Sequence, residues 1–170
     1  MDKFVALAKQ AVEKYVKTGK TLEMPADLPP EFLRKAGVFV TIKKGEALRG
    51  CVGTYLPTQE NLAREIISSA ISACAYDGRF YPISEEELPD LSYEVSVLSK
   101  PQKILSLEKH NPKKYGLIVV GSGGRRGLLL PDLEGIDTAE EQRVIACQKG
   151  GIDPRETEIE YYAFTVEKHI

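Results

Sequence analysis

The sequence predicts an α+β fold, a single domain spanning residues 1–170 with two sub-lobes and a mainly antiparallel sheet carrying packed helices. Three observations predict it. A chain of 170 residues matches one domain and is long enough to bury a self-sufficient core. Its apolar residues switch repeatedly between helical spacing and short β-type runs. The resulting order is helix, hairpin, helix, strand, then hairpin, helix, strand, which is not the regular alternation of a doubly wound parallel sheet. That order is compatible with a structural duplication, although the sequence shows no short-period repeat.

Phe4, Leu7, Ala8, Ala11, Val12 and Tyr15 recur at helical spacing, so Asp2 to Thr18 reads as an amphipathic helix stopped by Gly19. Pro25, Pro29 and Pro30 mark residues 20–30 as a connector, and Glu31 to Lys35 predicts a short helix ended by Gly37. Val38 to Ile42 is a β-type run that Lys43-Lys44-Gly45-Glu46 turns into Ala47 to Val52, a hairpin signal. Pro57 and Thr58 open a second helix with Leu62, Ile66, Ala70, Ile71 and Cys74 on its buried face. Ser84-Glu85-Glu86-Glu87 has the form of a capping box, Leu91 to Leu98 alternates as a strand, and a polar segment covers residues 99–114. Gly116 to Val120 and Gly127 to Leu130 predict a second hairpin. Thr138-x-x-Glu141 caps a helix that Gly150-Gly151 stop, and Glu158 to Val166 is the last strand.

Hydrophobic residues make up 42% and charged residues 28%, a globular balance that excludes disorder as the main state. Lys and Arg number 23 against 25 Asp and Glu, a net charge of −2, so the general attraction of a nucleic-acid binder is missing. The N-terminus has no unbroken apolar signal segment, and no window approaches the about 20 apolar residues that span a bilayer. The expectation is a cytoplasmic protein without membrane partners. Cys51, Cys74 and Cys147 are odd in number and widely spaced, which argues against a disulfide framework. Together with His110 and His169 they show no metal-ligand spacing, so no metal is expected and no cofactor is indicated.

Chemistry concentrates in Leu48-Arg49-Gly50-Cys51-Val52-Gly53. If this segment is extended, Leu48, Gly50 and Val52 face one way and Arg49, Cys51 and Gly53 the other. A guanidinium beside a thiol favours the reactive thiolate, and an arginine is a good bidentate partner for a carboxylate or phosphate. Gly50 and Gly53 lack side-chain bulk and would let a ligand approach the backbone. The plain alternative is a buried cysteine acting as a small hydrophobe, with Arg49 paired to a structural carboxylate. Structural roles are expected for Cys74 and Cys147, which lie on helices among apolar neighbours.

The hexapeptide resembles the hallmark LRGCIG motif of the AMMECR domain family. Gly37 to Ile42 resembles that family's GxFVTL strand, Asp77-Gly78-Arg79-Phe80-Tyr81-Pro82 its DPRFPP segment, and Leu91 to Leu98 its EVSVL strand. Gly127 to Pro131 resembles GLLLPQV, and Gln148 to Ile152 the KAGL turn, so the match runs in order over nearly the whole chain. Val52, Gly78, Tyr81, Asp132 and Gly150 depart from the family pattern. The resemblance implies two unequal lobes with the hexapeptide lining a cleft between them, and it implies no defined reaction. It also suggests partners of the Memo type or radical-SAM enzymes, beside which family members are found.

The cleft is expected to be lined by Arg49, Gly50, Cys51 and Gly53, joined by Arg79 from a loop it shares with Asp77, and by Glu94 as a partner for Arg49 or a general base. Two function classes follow. A binding module would hold a small anionic ligand, a peptide or a protein in this groove. An enzyme would use Cys51 as nucleophile or thiolate, Arg49 as anion binder and the glycine amides as charge stabilisers. A nucleic-acid role ranks third. Neither His110 nor His169 is placed to activate a thiol. Gly121 to Gly127 lacks the following helix of a phosphate cradle and reads as a hairpin connection, whose Arg125 and Arg126 are available to an anionic partner.

Overall fold

The computed structural model describes all 170 residues. It is α+β, as expected, with two four-stranded sheets. The chain divides into two compact units, Met1–Leu98 with Glu167–Ile170, and Ser99–Val166.

In the first unit, helix α1 (Lys3–Thr18) starts where the Asp2 carboxylate accepts the Phe4 and Val5 amides, and it stops at Gly19, whose φ of 68° a glycine adopts without strain. Strands β1 (Gly37–Lys44), β2 (Ala47–Thr54) and β3 (Leu91–Leu98) pair antiparallel around β1. Alternation sends Val38, Val40 and Ile42 into the core with α1 and with helix α2 (Leu62–Ala75). Strand β8 (Val166–His169) completes the sheet in the order β2-β1-β3-β8.

Two expectations shift here. The short helix predicted at Glu31 to Lys35 is a single 3-10 turn at Pro30–Phe32. The second helix begins at Leu62, capped by Asn61, and not at Pro57. The cause is Glu65, 2% exposed, whose carboxylate accepts the Thr58 and Gln59 amides at 2.7 and 2.8 Å and the Thr54 and Thr58 hydroxyls at 3.1 and 2.8 Å. Those bonds fold residues 54–59 back over the helix start and keep them out of it.

The second unit holds strands β4 (Gln102–Ile104), β5 (Gly116–Val120), β6 (Arg126–Leu129) and β7 (Glu160–Phe164) in the order β4-β7-β5-β6, with helix α3 (Ala139–Lys149). The capping box at Thr138 and Glu141 forms as predicted. The polar segment 99–114 contains the short β4, which the sequence reading missed. The run read as one final strand is two: it breaks at Thr165, where the Thr165 amide donates to Ser99 Oγ at 2.8 Å and the Ser99 amide donates to the Thr165 carbonyl at 2.9 Å. β7 stays in the second sheet and β8 enters the first.

The same hairpin–helix–strand order occurs in both units, and in both the first hairpin strand lies between its partner and the strand after the helix. No helix is long and apolar enough to cross a membrane.

Candidate functional site

The hexapeptide lies on β2, an edge strand of its sheet. Ile42 pairs with Gly50 but Lys43 pairs with Leu48, so Arg49 is an extra residue in the ladder, a β-bulge. The two-faced alternation therefore holds from Gly50 onward and fails before it. Leu48, which strict alternation puts on one face with Gly50 and Val52, is 40% exposed.

The bulge redirects Arg49. Its guanidinium grips Glu87 with Nε–Oε2 at 2.9 Å and Nη2–Oε1 at 2.8 Å, and Nη1 donates to the Tyr81 carbonyl at 2.9 Å. This bidentate pair sits where both side chains are less than a fifth exposed, at 16% and 19%. Arg49 holds the Glu87 carboxyl down to about 2 against the opposing effect of burial, and the Ser84 amide of the capping box helps. The carboxylate partner of Arg49 is thus Glu87 and not Glu94.

The cation at Cys51 is Arg79. Asp77 is 8% exposed; its Oδ2 accepts the Cys51 amide at 2.9 Å and pairs with Arg79 Nη2 at 2.8 Å, while Arg79 Nη2 donates to the Cys51 carbonyl at 3.3 Å. The Arg79 guanidinium first, and the Cys51 and Arg79 amides after it, hold the Asp77 carboxyl far below the usual range although burial opposes this. One ion pair therefore satisfies both outward backbone groups of Cys51 and closes the sheet edge there to strand addition. Asp77 and Arg79 thus form a local ion pair within their loop, and it is fastened to β2.

The Cys51 thiol is half-buried, with Thr41 Oγ1 at 3.2 Å. Thr41 faces Cys51 on β2 and Glu94 on β3, so the three form a row across adjacent strands. Burial pushes the Glu94 carboxyl up, but Lys43 at 2.5 Å and Lys168 at 3.0 Å pull it further down, leaving it a paired carboxylate and not a base. Cys74 and Cys147 are buried, and burial pushes the Cys74 thiol up to about 11 and raises that of Cys147.

The glycines do other work than expected. A Cβ on Gly50 would overlap the Ala73 carbonyl of α2, and one on Gly53 would overlap the Val38 carbonyl and the Phe39 ring. Both permit close packing within the fold; the space beside them is filled by the chain itself. The histidines are also engaged elsewhere. His110 bonds Gln142 at 2.7 Å, and His169 lies 3.0 Å from Asp2 and packs edge-on against Phe4.

Glu87, Thr41 and Lys43 were missed by the sequence reading, and only the capping box drew attention to Glu87. The glycine-rich loop is clamped: Arg125 bonds the Ser122 and Gly151 carbonyls, the Ser122 hydroxyl and Glu156. Arg125 is consequently not free for an anionic partner. No three His, Cys, Asp or Glu side chains gather as a metal-binding set.

The sequence profile of the AMMECR1 family matches residues 5–169. The chain belongs to the AMMECR1 family. Among its relatives, a protein of Thermotoga maritima is 49% identical over 168 residues, covering 98% of this chain and 96% of the relative. A Clostridium acetobutylicum protein is 44% identical over 169 residues, and there the alignment covers 98% of this chain but only 34% of a longer protein. The crystal structure of an uncharacterized protein from Pyrococcus horikoshii superimposes with a TM-score of 0.88 at 39% identity, covering 97% of this chain and 88% of that one.

Proposed function

We propose that β2 and the loop 77–82 form a docking face for a protein or peptide partner, and that the chain acts as a binding module. The observation that carries this reading is that the charges around Cys51 are already paired within the protein: Arg49 with Glu87, Arg79 with Asp77, and Lys43 and Lys168 with Glu94. A small anion would have to compete with a carboxylate already in place at each of these cations. Two apolar side chains nearby are left uncovered, Tyr81 at 91% exposure and Leu48 at 40%. Exposed apolar groups rimmed by fixed polar ones suit a protein partner.

The enzyme reading has one observation in its favour, the half-buried Cys51 against two buried thiols. It lacks a base, since the group at the sulfur is a threonine hydroxyl. A nucleic-acid role has no support from the net charge of −2.

Memo-type proteins and radical-SAM enzymes are the partners to try first, and the longer clostridial relative supports a domain that works beside other polypeptide. The test is calorimetric titration of the chain with a purified Memo-type protein and a radical-SAM enzyme from the same organism. Binding to either that is weakened about tenfold by Tyr81→Asp and Leu48→Asp, and kept by Cys51→Ser, is the expected result. Binding insensitive to both aspartates, or absent for both proteins, would refute this docking face.

A further inference from the structure

The second unit carries a cavity that plays no part in the reading above. It has a volume of about 340 Å³ and is floored by Ile104, Tyr115, Ala163 and Phe164, with Lys109 and His110 among the other lining residues. We propose that it binds a small planar heteroaromatic acid of mononucleotide size, one that offers an N–H to His110 and an anionic group to Lys109.

A buried amide sets the orientation of the His110 ring. Gln142 on α3 is fully buried, and its Nε2 donates to the Tyr115 carbonyl at 3.0 Å. A carbonyl can only accept, so the amide orientation is fixed and Oε1 is the atom 2.7 Å from His110 Nε2. Two acceptors cannot bond, and the proton therefore sits on Nε2. In the neutral ring that leaves Nδ1 a lone-pair acceptor without a protein partner, beside a buried neutral group. An imidazole set in this way, against a floor of two aromatic and two aliphatic residues, selects a ligand with an N–H or O–H donor on a flat apolar body.

The charge follows from the rest of the lining. No aspartate or glutamate lines the cavity, and Lys109 has no ion-pair partner in the chain. An unpaired ammonium beside an apolar floor favours an anion. The half-buried Tyr115 ring, with the Lys114 ammonium 5.2 Å from its centroid, is an aromatic surface for stacking. The volume lies at the lower end of the range for small-ligand pockets, which suits a single nucleotide better than an extended cofactor.

The test is an NMR titration of the full chain with the 5′-monophosphates of adenosine, guanosine, cytidine and uridine, and with the four parent nucleosides. At least one monophosphate is expected to give saturable shifts at His110 and Tyr115. His110→Phe keeps a ring but removes the acceptor and should weaken that monophosphate and its nucleoside alike, by about tenfold. Lys109→Ala, on an exposed side chain, should weaken the monophosphate several-fold and leave the nucleoside unchanged. Absence of saturable shifts with all eight probes overturns the proposal, as does binding that ignores His110→Phe in a variant whose other resonances are unmoved. Neither result bears on the docking face of β2.

Discussion

Replacing Glu87 by glutamine tests whether the Arg49–Glu87 clamp holds the hexapeptide's bulge in place. Glutamine keeps the shape and an acceptor for Ser84 but removes the charge that Arg49 grips in two bonds. Lowering the carboxyl from its ordinary 4.5 to about 2 corresponds to a ceiling of about 3 kcal/mol. Both side chains keep some solvent contact, so about 2 kcal/mol is the expected loss at pH 7. The sign of the pH dependence is fixed by the direction of the shift. A carboxylate lowered in the folded state contributes fully above its unfolded value, and that contribution is lost as the pH falls through the folded value. The gap between parent and Glu87→Gln should therefore be full above about pH 5 and shrink steadily toward pH 2, whatever the other carboxylates do to both proteins. Urea unfolding followed by circular dichroism at pH 7, 5, 4 and 3 measures it. A gap below about 0.5 kcal/mol at pH 7, within the range of an exposed pair, would refute the clamp. So would a gap that stays constant from pH 7 to pH 3.

Two further outcomes follow from the same site. Gly50→Ala places a methyl against the Ala73 carbonyl and should cost about 3 kcal/mol in urea unfolding, whereas Gly78→Ala, with open space around it, should change stability by less than about 1 kcal/mol. Alkylation of the native protein at pH 8, with the labelled peptide located by mass, should modify Cys51 well before Cys74 or Cys147, whose thiols burial holds protonated; faster labelling of either helix cysteine would contradict this order.

Much of the fold is legible in the sequence because local chemistry decides it. Asp2 and Gly19 bound α1, Thr138 and Glu141 cap α3, and the alternation of Val38, Val40 and Ile42 sets the buried face of β1. What escapes is decided by residues far apart. The bulge at Arg49 shifts the register by one residue, and its partner Glu87 is 38 positions away. Glu65 sits among apolar helix residues and reads like a solvated position, because its four donors come from the end of β2 and a loop whose path the sequence does not reveal. The run from Tyr161 to Val166 has uniform β character, and only the Ser99 contact divides it between two sheets. The candidate site was legible in its members and not in its pairings: Arg49, Cys51, Asp77, Arg79 and Glu94 all lie on or beside the β2–β1–β3 face, but each has a partner that alternation alone did not supply.

Comparison of the two units separates what the hexapeptide does for the fold from what it does for a partner. In the second unit Arg126-Gly127 stands at the place of Arg49-Gly50, on the second strand of a hairpin, and a Cβ on Gly127 would overlap the Ala146 carbonyl just as one on Gly50 would overlap that of Ala73. A cysteine follows each alanine, and its carbonyl accepts the amide of Ile83 in one unit and of Ile152 in the other, at 2.8 and 2.9 Å. Gly50 is therefore an architectural requirement that recurs wherever this helix crosses this strand, and it needs no ligand to explain it. The difference begins one residue later, where Cys51 has Leu128 as its counterpart. Asp153 and Arg155 repeat the spacing and pairing of Asp77 and Arg79, yet their side chains are 46% and 89% exposed and bond only each other, whereas Asp77 is 6% exposed and turned onto the Cys51 backbone. Both units keep this glycine for packing. Only the first unit has its acidic loop fastened to the strand beside a half-buried thiol, and that fastening is the part of the motif for which packing alone gives no reason.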